Sequence, residues 1–553
     1  MSDRKTPQKY ESAYAGRWVA RLQGKIVGQG GTPEAAQRAA QANRHKEKPE
    51  ISYMPAATAL SFPALLDEVA ALAEDQPIFL VGGAVRDALL GSISHDFDLT
   101  VEQDAIGLAR RVASALHADF YVLDEAFDAA RVIIQNPSGI RDTLDFSSLR
   151  GADINADLEG RDFTINAIGL DLKGRTTRDP LQGAADLRTK TIRACSATAM
   201  QDDPVRILRG VRLAAALDFK IDPGTRETMK AAAHLLPNTS AERLRDELFR
   251  MLGGRKPDAS IRAIEMLGVL PYLLPELVAL KGVDQPEPHV LDVWEHTLSV
   301  MHYLDEILEL VVEGRLENAN GMLASLLMLG IGRYRGQIKE HFAKNPNPDR
   351  SLRSLVQFAA LYHDAGKPST LSANKDGQIH FFRHEHDGAS VAVQRAMEFN
   401  LSNAEVTRLE TLIQNHLRLF FLASRKEESG DAPSRRAIYH FFRDSGDCAV
   451  ELILLSLADL RGTRAHTLSE QTWKIWVEVA RELMENLWER TSESVSPPRL
   501  LDGHDLMREL DLEPGPRLGE LMANLREAQA IGEVTTKEEA LKFGRDWLIQ
   551  RPT

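Results

Sequence analysis

The chain has 553 residues, 43% of them hydrophobic and 27% charged, with a net charge of −13. That length exceeds what one core can organise and predicts roughly three to five domains of an ordinary soluble protein. The acidic balance excludes a protein that coats nucleic acid over its whole surface, and two cysteines, Cys195 and Cys448, exclude a disulfide framework.

No apolar run suits a secretory leader or a membrane span, so a cytoplasmic setting is expected. Residues 1–50 carry ten Lys/Arg against five Asp/Glu. Residues 14–30 alternate like two short strands, and Thr32-Pro33 opens a helix, with Thr32 as its cap. A small basic ββα module is expected, followed by a charged linker over 43–50. Its charge suits RNA, although an appended stabilising module reads equally well.

From 58 to 190 strand and helix patterns alternate, with strands expected at 78–81, 97–101, 119–123, 131–135, 142–146 and 165–172. The first ends in Val81-Gly82-Gly83, followed by Arg86-Asp87; glycines without a Cβ let backbone N–H groups approach a phosphate. Asp96 and Asp98 follow at period two, so a strand would project both carboxylates from one face. A bare D-x-D is commonly a solvated turn. Beside a phosphate cradle it points to Mg²⁺ holding a nucleoside triphosphate. Two-metal transfer needs a third acid from a neighbouring strand; Asp145 is the first candidate, and Asp142, on the opposite face, the competitor.

The run Arg161-Asp162-Phe163-Thr164-Ile165-Asn166 supplies a guanidinium for phosphate, while Asp162 and Asn166 would hold the turn and the sugar or phosphate end. Asp179 to Leu187 reads as a structural turn and helix start. From 191 to 282 the pattern turns helical. Within it Asp203 and Arg206 stand three apart, on one face if helical, with Arg209 one step further. A carboxylate and a guanidinium can read the amino group and acceptor that cytosine and adenine share. An i,i+3 salt bridge is the alternative for such a pair.

In this order the motifs G-G-x-x-R-D with D-x-D, R-D-F-T-I-N-A, D-P-x-x-G-x-x-D-L and D-D-P-x-R-x-L-R resemble the class II tRNA nucleotidyltransferase/poly(A) polymerase family over about 60–280. Glu242 to Glu247 matches the family's E-R-x-x-x-E helix, which braces the nucleotide-reading helix. The resemblance implies Asp96 and Asp98 as metal ligands and Asp203 with Arg206 as the protein template for the base. It also implies that Arg150 and the segment 151–158 form a flexible loop near the incoming nucleotide. Gly160 stands where the family has a first arginine, and Asp202 where it has Glu.

Region 285–465 carries His296, then His363-Asp364 with Lys367, then His384, His416 and Asp459, in the H…HD…D order that resembles an HD phosphohydrolase domain. The resemblance implies one or two divalent ions (Mn, Ni, Co or Fe) on these six residues, phosphatase or 2′,3′-cyclic phosphodiesterase chemistry, and a phosphate contact from Lys367. Residues 311–350 read as a less regular insertion, and 466–553 as further helices after Pro497-Pro498.

The expected class is an α+β multidomain protein: a mixed-sheet nucleotidyltransferase head, an all-α neck and body, an all-α HD domain and the N-terminal module. The resemblance implies an enzyme that adds C-C-A to tRNA from CTP and ATP with Mg²⁺ and no nucleic-acid template. A poly(A) polymerase, or an enzyme restricted to CC or A, is the first alternative; an HD phosphohydrolase as the main activity is the second.

Overall fold

In the computed structural model the described residues are 14, 17–22, 25–42, 49–54, 62–135, 139–314 and 321–551. They form two compact units: Met1–Ser240 with Met266–Tyr272, and Ala241–Glu265 with Leu273–Thr553. No helix among the described residues is long and apolar enough to cross a membrane.

The first unit opens with strands β1 (Arg17–Leu22) and β2 (Lys25–Gly30), helix α1 (Pro33–Ala42) and strand β3 (Glu50–Met54). The sheet order β2-β1-β3 adds a third strand to the expected ββα unit, paired antiparallel to β1 at the end of what read as a charged linker. Ala36 and Ala40 of α1 pack on Ala20 with Trp18, Val27 and Ile51.

The head follows as α2 (Leu65–Leu72), β4 (Ile78–Val81), α3 (Gly83–Leu89), β5 (Asp96–Val101), α4 (Ala105–Leu116), β6 (Asp119–Asp124), β7 (Ala129–Gln135), β8 (Arg141–Ser148), α5 (Ile154–Glu159), β9 (Gly169–Asp171) and β10 (Thr177–Arg178). Its sheet is mixed, in the order β10-β9-β4-β5-β8-β7-β6, with β5 and β8 parallel and the other neighbours antiparallel. All four residues of β4 are buried, as a central strand covered on both faces requires. In β5 and β8 burial alternates: Phe97, Leu99, Leu144 and Phe146 point inward, while Asp96, Asp98 and Asp145 take the other face.

Two expectations need correction here. The strand read over 165–172 begins only at Gly169, because residues 164–166 form a 3₁₀ turn that Asp162 holds through Phe163 N and Asn166 Nδ2. Asp203 lies outside the helix that follows it: Pro204 drives the preceding residue into extended backbone (φ −151°, ψ 96°), and the helix Arg206–Leu217 starts after it.

The second unit is helical, apart from a small hairpin of Leu371–Ala373 and Ile379–Phe381. Helices Val293–Val311, Leu352–Tyr362, His384–Glu398, Asn403–Asn415 and Ala449–Arg464 pack around a polar centre. The stretch read as an irregular insertion contains the helices Met322–Ile331 and Arg335–Ala343. Three C-terminal helices, Gly503–Leu510, Pro516–Ile531 and Lys537–Gln550, share a core of Leu506, Leu521, Leu525 and Trp547.

Candidate active sites

The first site lies on the open face of the head sheet. Parallel pairing sets Asp98 directly beside Asp145 and Asp96 beside Thr143, so three carboxylates share one face. Asp142 points the other way, is buried, and lies 2.6 Å from His95 Nδ1. Asp98 keeps an exposed surface but stands deep among protein atoms. Desolvation raises its pKa, Asp145 and Asp96 push the same way, and Arg161 and Arg209 oppose them.

Gly82, at the turn from β4 into α3, adopts φ +76°, a region that favours glycine. A Cβ there would stand 2.9 Å from Asp98 Oδ2. The glycine thus makes room for the carboxylate beside it. At Gly83 an added Cβ meets only the Arg86 side chain, at 3.5 Å.

Around these carboxylates the guanidinium groups are held by named partners. Arg86 donates to Asn166 Oδ1 at 2.7 Å and to Asp87 at 2.8 Å. Asn166 donates to Asp162, whose other oxygen takes Arg209 at 3.3 Å, so one chain of hydrogen bonds ties α3 to the helix Arg206–Leu217. Arg161 donates twice to Asp157 Oδ2, at 2.9 and 3.2 Å. Arg206 donates to the carbonyls of Gly160, Arg161 and Ala199, with Asp203 Oδ2 3.8 Å from its Nε. At Gly160 a Cβ would make only ordinary contacts of 3.6 Å, so the backbone does not demand glycine where the family has arginine.

The segment expected as a flexible loop is partly helical. Asp153 caps α5, and Asp157 Oδ1 accepts the Arg150 backbone N–H while the Arg150 side chain stays exposed. Asp179 caps the helix Gly183–Thr189 through Gly183 N and Ala184 N, the structural role expected of it.

Two residues at this site had no motif to announce them. Asp157, buried on α5, fixes Arg161. Arg131 on β7 grips Asp145 through Nε at 2.7 Å and Nη2 at 2.8 Å, and that hydrogen bonding raises its pKa. Strand parity was the one signal available for Arg131.

The second site is the centre of the helical unit, where all six expected residues meet. His296, His363 and Asp459 form one set, and Asp364, His384 and His416 another; within each, the ligand atoms lie within 4.8 Å of one another. Asp364 faces both: Oδ2 is 3.2 Å from His363 Nε2 and 3.4 Å from His296 Nε2, and Oδ1 is 3.3 Å from His384 Nε2.

Three imidazoles are oriented by one device. His363, His384 and His416 each donate Nδ1–H to the carbonyl three residues earlier, at 2.7, 2.8 and 2.7 Å. Every Nε2 is thereby left as the inward-facing atom, the tautomer a metal requires. His296 has no such partner among the described residues; its Nδ1 is buried without a hydrogen bond.

Burial would raise the pKa of Asp364, yet His363 and Lys367 hold it well below the usual carboxylate range. Burial lowers the pKa of His416 to about 3, with His363 and His384 adding to the effect. Lys367 Nζ is buried between Asp364 Oδ2 and Gln285 Oε1, each at 2.6 Å, which engages two of its three hydrogens. His289, unmarked in the sequence, sets its ring edge-on to His296 with centroids 5.2 Å apart.

A model of the poly(A) polymerase head domain matches residues 78–193, one described as the probable RNA and SrmB-binding site of polymerase A matches 218–280, and one of the HD domain matches 293–460. An A-adding tRNA nucleotidyltransferase of Deinococcus radiodurans is 32% identical over 481 residues, covering 86% of this chain and 96% of the relative. A CC-adding tRNA nucleotidyltransferase of Geobacter sulfurreducens is 31% identical over 467 residues, covering 84% and 90%. The fold matches that of a CCA-adding enzyme solved with CTP, with a TM-score of 0.56 over 88% of this chain and 96% of that one, at 20% identity. The chain is a nucleotidyltransferase with an HD domain and belongs to the tRNA nucleotidyltransferase/poly(A) polymerase family.

Proposed function

We propose that the head builds the 3′ end of tRNA from CTP and ATP, and that Asp96, Asp98 and Asp145 are its catalytic carboxylates. The observation that supports this most is their common face, with the Gly82 turn on one side and Asp145 in register on the other. A divalent cation suits the three, because it relieves the repulsion and desolvation that raise the pKa of Asp98. When bound, Mg²⁺ would ease deprotonation of the RNA 3′-hydroxyl and neutralise charge on the departing pyrophosphate.

The chain's own residues do the rest. Backbone N–H groups at Gly82 and Gly83, with Arg86 and Arg161, receive the triphosphate. Asn166 and Asp162 hold Arg86 and Arg209 in place. With three carbonyls fixing Arg206, its Nε and one Nη2 hydrogen remain to meet a base, beside the Asp203 carboxylate that accepts an exocyclic amino group. The test is incorporation of each labelled nucleotide into tRNA lacking its 3′ terminus. Two C followed by one A is expected, and Asp96→Ala should abolish it; incorporation retained by that variant would refute the assignment.

A restricted enzyme is the second reading, favoured because an A-adding and a CC-adding relative align at nearly equal identity along most of the chain. Addition of A alone to a primer ending in CC, or of two C without A, would establish it.

We further infer that the HD centre hydrolyses phosphoesters, and that His296, His363 and Asp459 would hold one divalent ion and Asp364, His384 and His416 a second. The two donor sets and the matched Nδ1 tethers support this. Hydrolysis of a 2′,3′-cyclic nucleotide that survives Asp96→Ala and is lost in His363→Ala is the expected result.

A further inference from the structure

The register of the head sheet extends the row of carboxylates to the sheet's edge. Asp98 pairs with Asp145, Asp145 with Arg131, and Arg131 with Tyr121 on β6. Directly opposed residues project from one face, so these four side chains form a continuous strip across four strands. The other face is taken: Phe120 lies under Arg110 of α4, 5.4 Å from the guanidinium carbon to the ring centroid. Tyr121 is 52% exposed and Leu123 51%, so on this edge strand about half of each residue's surface is open to solvent.

The site's two sides also differ in content. On the β4 side of the carboxylates lie the Gly82 turn, Arg86, Arg161 and Arg206, the groups suited to a nucleoside triphosphate. Beyond Asp145 lie β7 and β6, with one guanidinium and one aromatic ring. An in-line displacement puts the attacking oxygen and the leaving phosphate on opposite sides of the reacting phosphorus. With the triphosphate on the β4 side, the RNA must arrive over β8, β7 and β6.

We propose that Arg131 and Tyr121 form the platform for the 3′-terminal strand of the RNA substrate. This rests on the nucleotidyltransferase reading of the same face. Tyr121 stacks a base a few nucleotides back from the reacting hydroxyl; three strand spacings place it about 14 Å from Asp98. Arg131 spends Nε and Nη2 on Asp145 and presents Nη1, which has no hydrogen-bond partner among the described residues, to a backbone phosphate. Asp119, one row away on the same face, confines the RNA backbone to the Tyr121 row by charge. Tyr121 is a positioning residue: it touches RNA away from the bond that forms.

The test is steady-state kinetics and equilibrium binding with tRNA lacking its 3′ terminus, for the full chain and for Tyr121→Ala and Tyr121→Phe. Loss of one stacked base predicts a rise of at least fivefold, about the lower limit for stacking, in KM and Kd for RNA in the alanine variant. KM for CTP or ATP should be unchanged, and the phenylalanine variant, which keeps the ring, should restore RNA affinity. Unchanged RNA affinity in Tyr121→Ala overturns the proposal, as does a rise confined to the KM of the nucleotide. Absence of incorporation by the unsubstituted chain would instead overturn the underlying reading of the face. Tyr121 is half-exposed on an edge strand, so its truncation should leave the fold intact, which circular dichroism checks directly.

Discussion

Replacing Gly82 by alanine tests whether the glycine turn serves the carboxylate as well as the phosphate. Two costs are legible. Alanine at φ +76° and ψ −137°, a region that essentially only glycine adopts, loses about 1–3 kcal/mol. Its Cβ would also stand 2.9 Å from Asp98 Oδ2, about half an ångström inside ordinary contact, so the carboxylate must retreat. A displacement of 1 Å at a reacting centre costs on the order of a hundredfold, and half of that predicts roughly tenfold in kcat. The assay is incorporation at saturating nucleotide and RNA, alongside a thermal melt expected to fall by roughly 2–12 °C. Gly83→Ala is the control. It enters the first helical position at negative φ, meets only Arg86, and removes a helix-weakening glycine. Any kinetic penalty there should fall on KM for the nucleotide. Equal kcat losses in the two variants would refute the reasoning, because they would show that Asp98 does not sense the Gly82 Cβ.

Asp157→Asn leaves Arg161 without its charged partner and predicts a rise of about tenfold in KM for CTP or ATP with little change for RNA, measured by varying each substrate in turn. Asp364→Asn should empty the HD centre of both metal equivalents, whereas His384→Ala should lose one; elemental analysis of the purified variants distinguishes the two. His302 donates to Asp258 and Glu306, which raise its pKa to about 10. A raised folded pKa gives stability that is complete below the unfolded value near 6.5 and is lost as pH rises through the folded one. Denaturant unfolding should therefore show stability falling between pH 7 and 10, and His302→Gln should flatten that slope.

What the sequence disclosed followed from short-range geometry. Period two placed Asp96 and Asp98 on one face, and the same parity separated Asp145 from Asp142 once β8 lay parallel to β5. The six HD residues were legible from type and order alone, because each is a strong ligand and their sequence order is the one an HD domain has. Long-range partners were not legible. Arg131 is one of many arginines until register sets it opposite Asp145, and Asp157 acquires meaning only when Arg161 folds back four residues onto it. The setting of Lys367 was hidden for the same reason: beside the nearby Asp364, its Nζ is held by Gln285, which is distant in sequence. The misplaced boundaries at Asp162 and Asp203 have local causes that periodicity ignores, a side chain competing for backbone N–H and a proline restricting its predecessor.

The two centres solve the problem of holding negative charge in different ways, and the difference matches their chemistry. In the helical unit, the two donor sets are already closed within 4.8 Å, tethered at Nδ1 in three of the four histidines, and buried apart from part of Asp459. Such a cage would resist loss of the ions proposed for it, since three of its four imidazoles are oriented before metal arrives. In the head, Asp145 is committed to Arg131, and Asp98 keeps an exposed surface. On the proposed reading the head must admit a new metal–nucleotide and release metal–pyrophosphate at every step, and carboxylates poised by arginine would serve that better than a closed cage. On that reading Arg131 has a definite part: it balances Asp145 between turnovers and keeps that carboxylate in the row with Asp98, where an incoming cation would meet it.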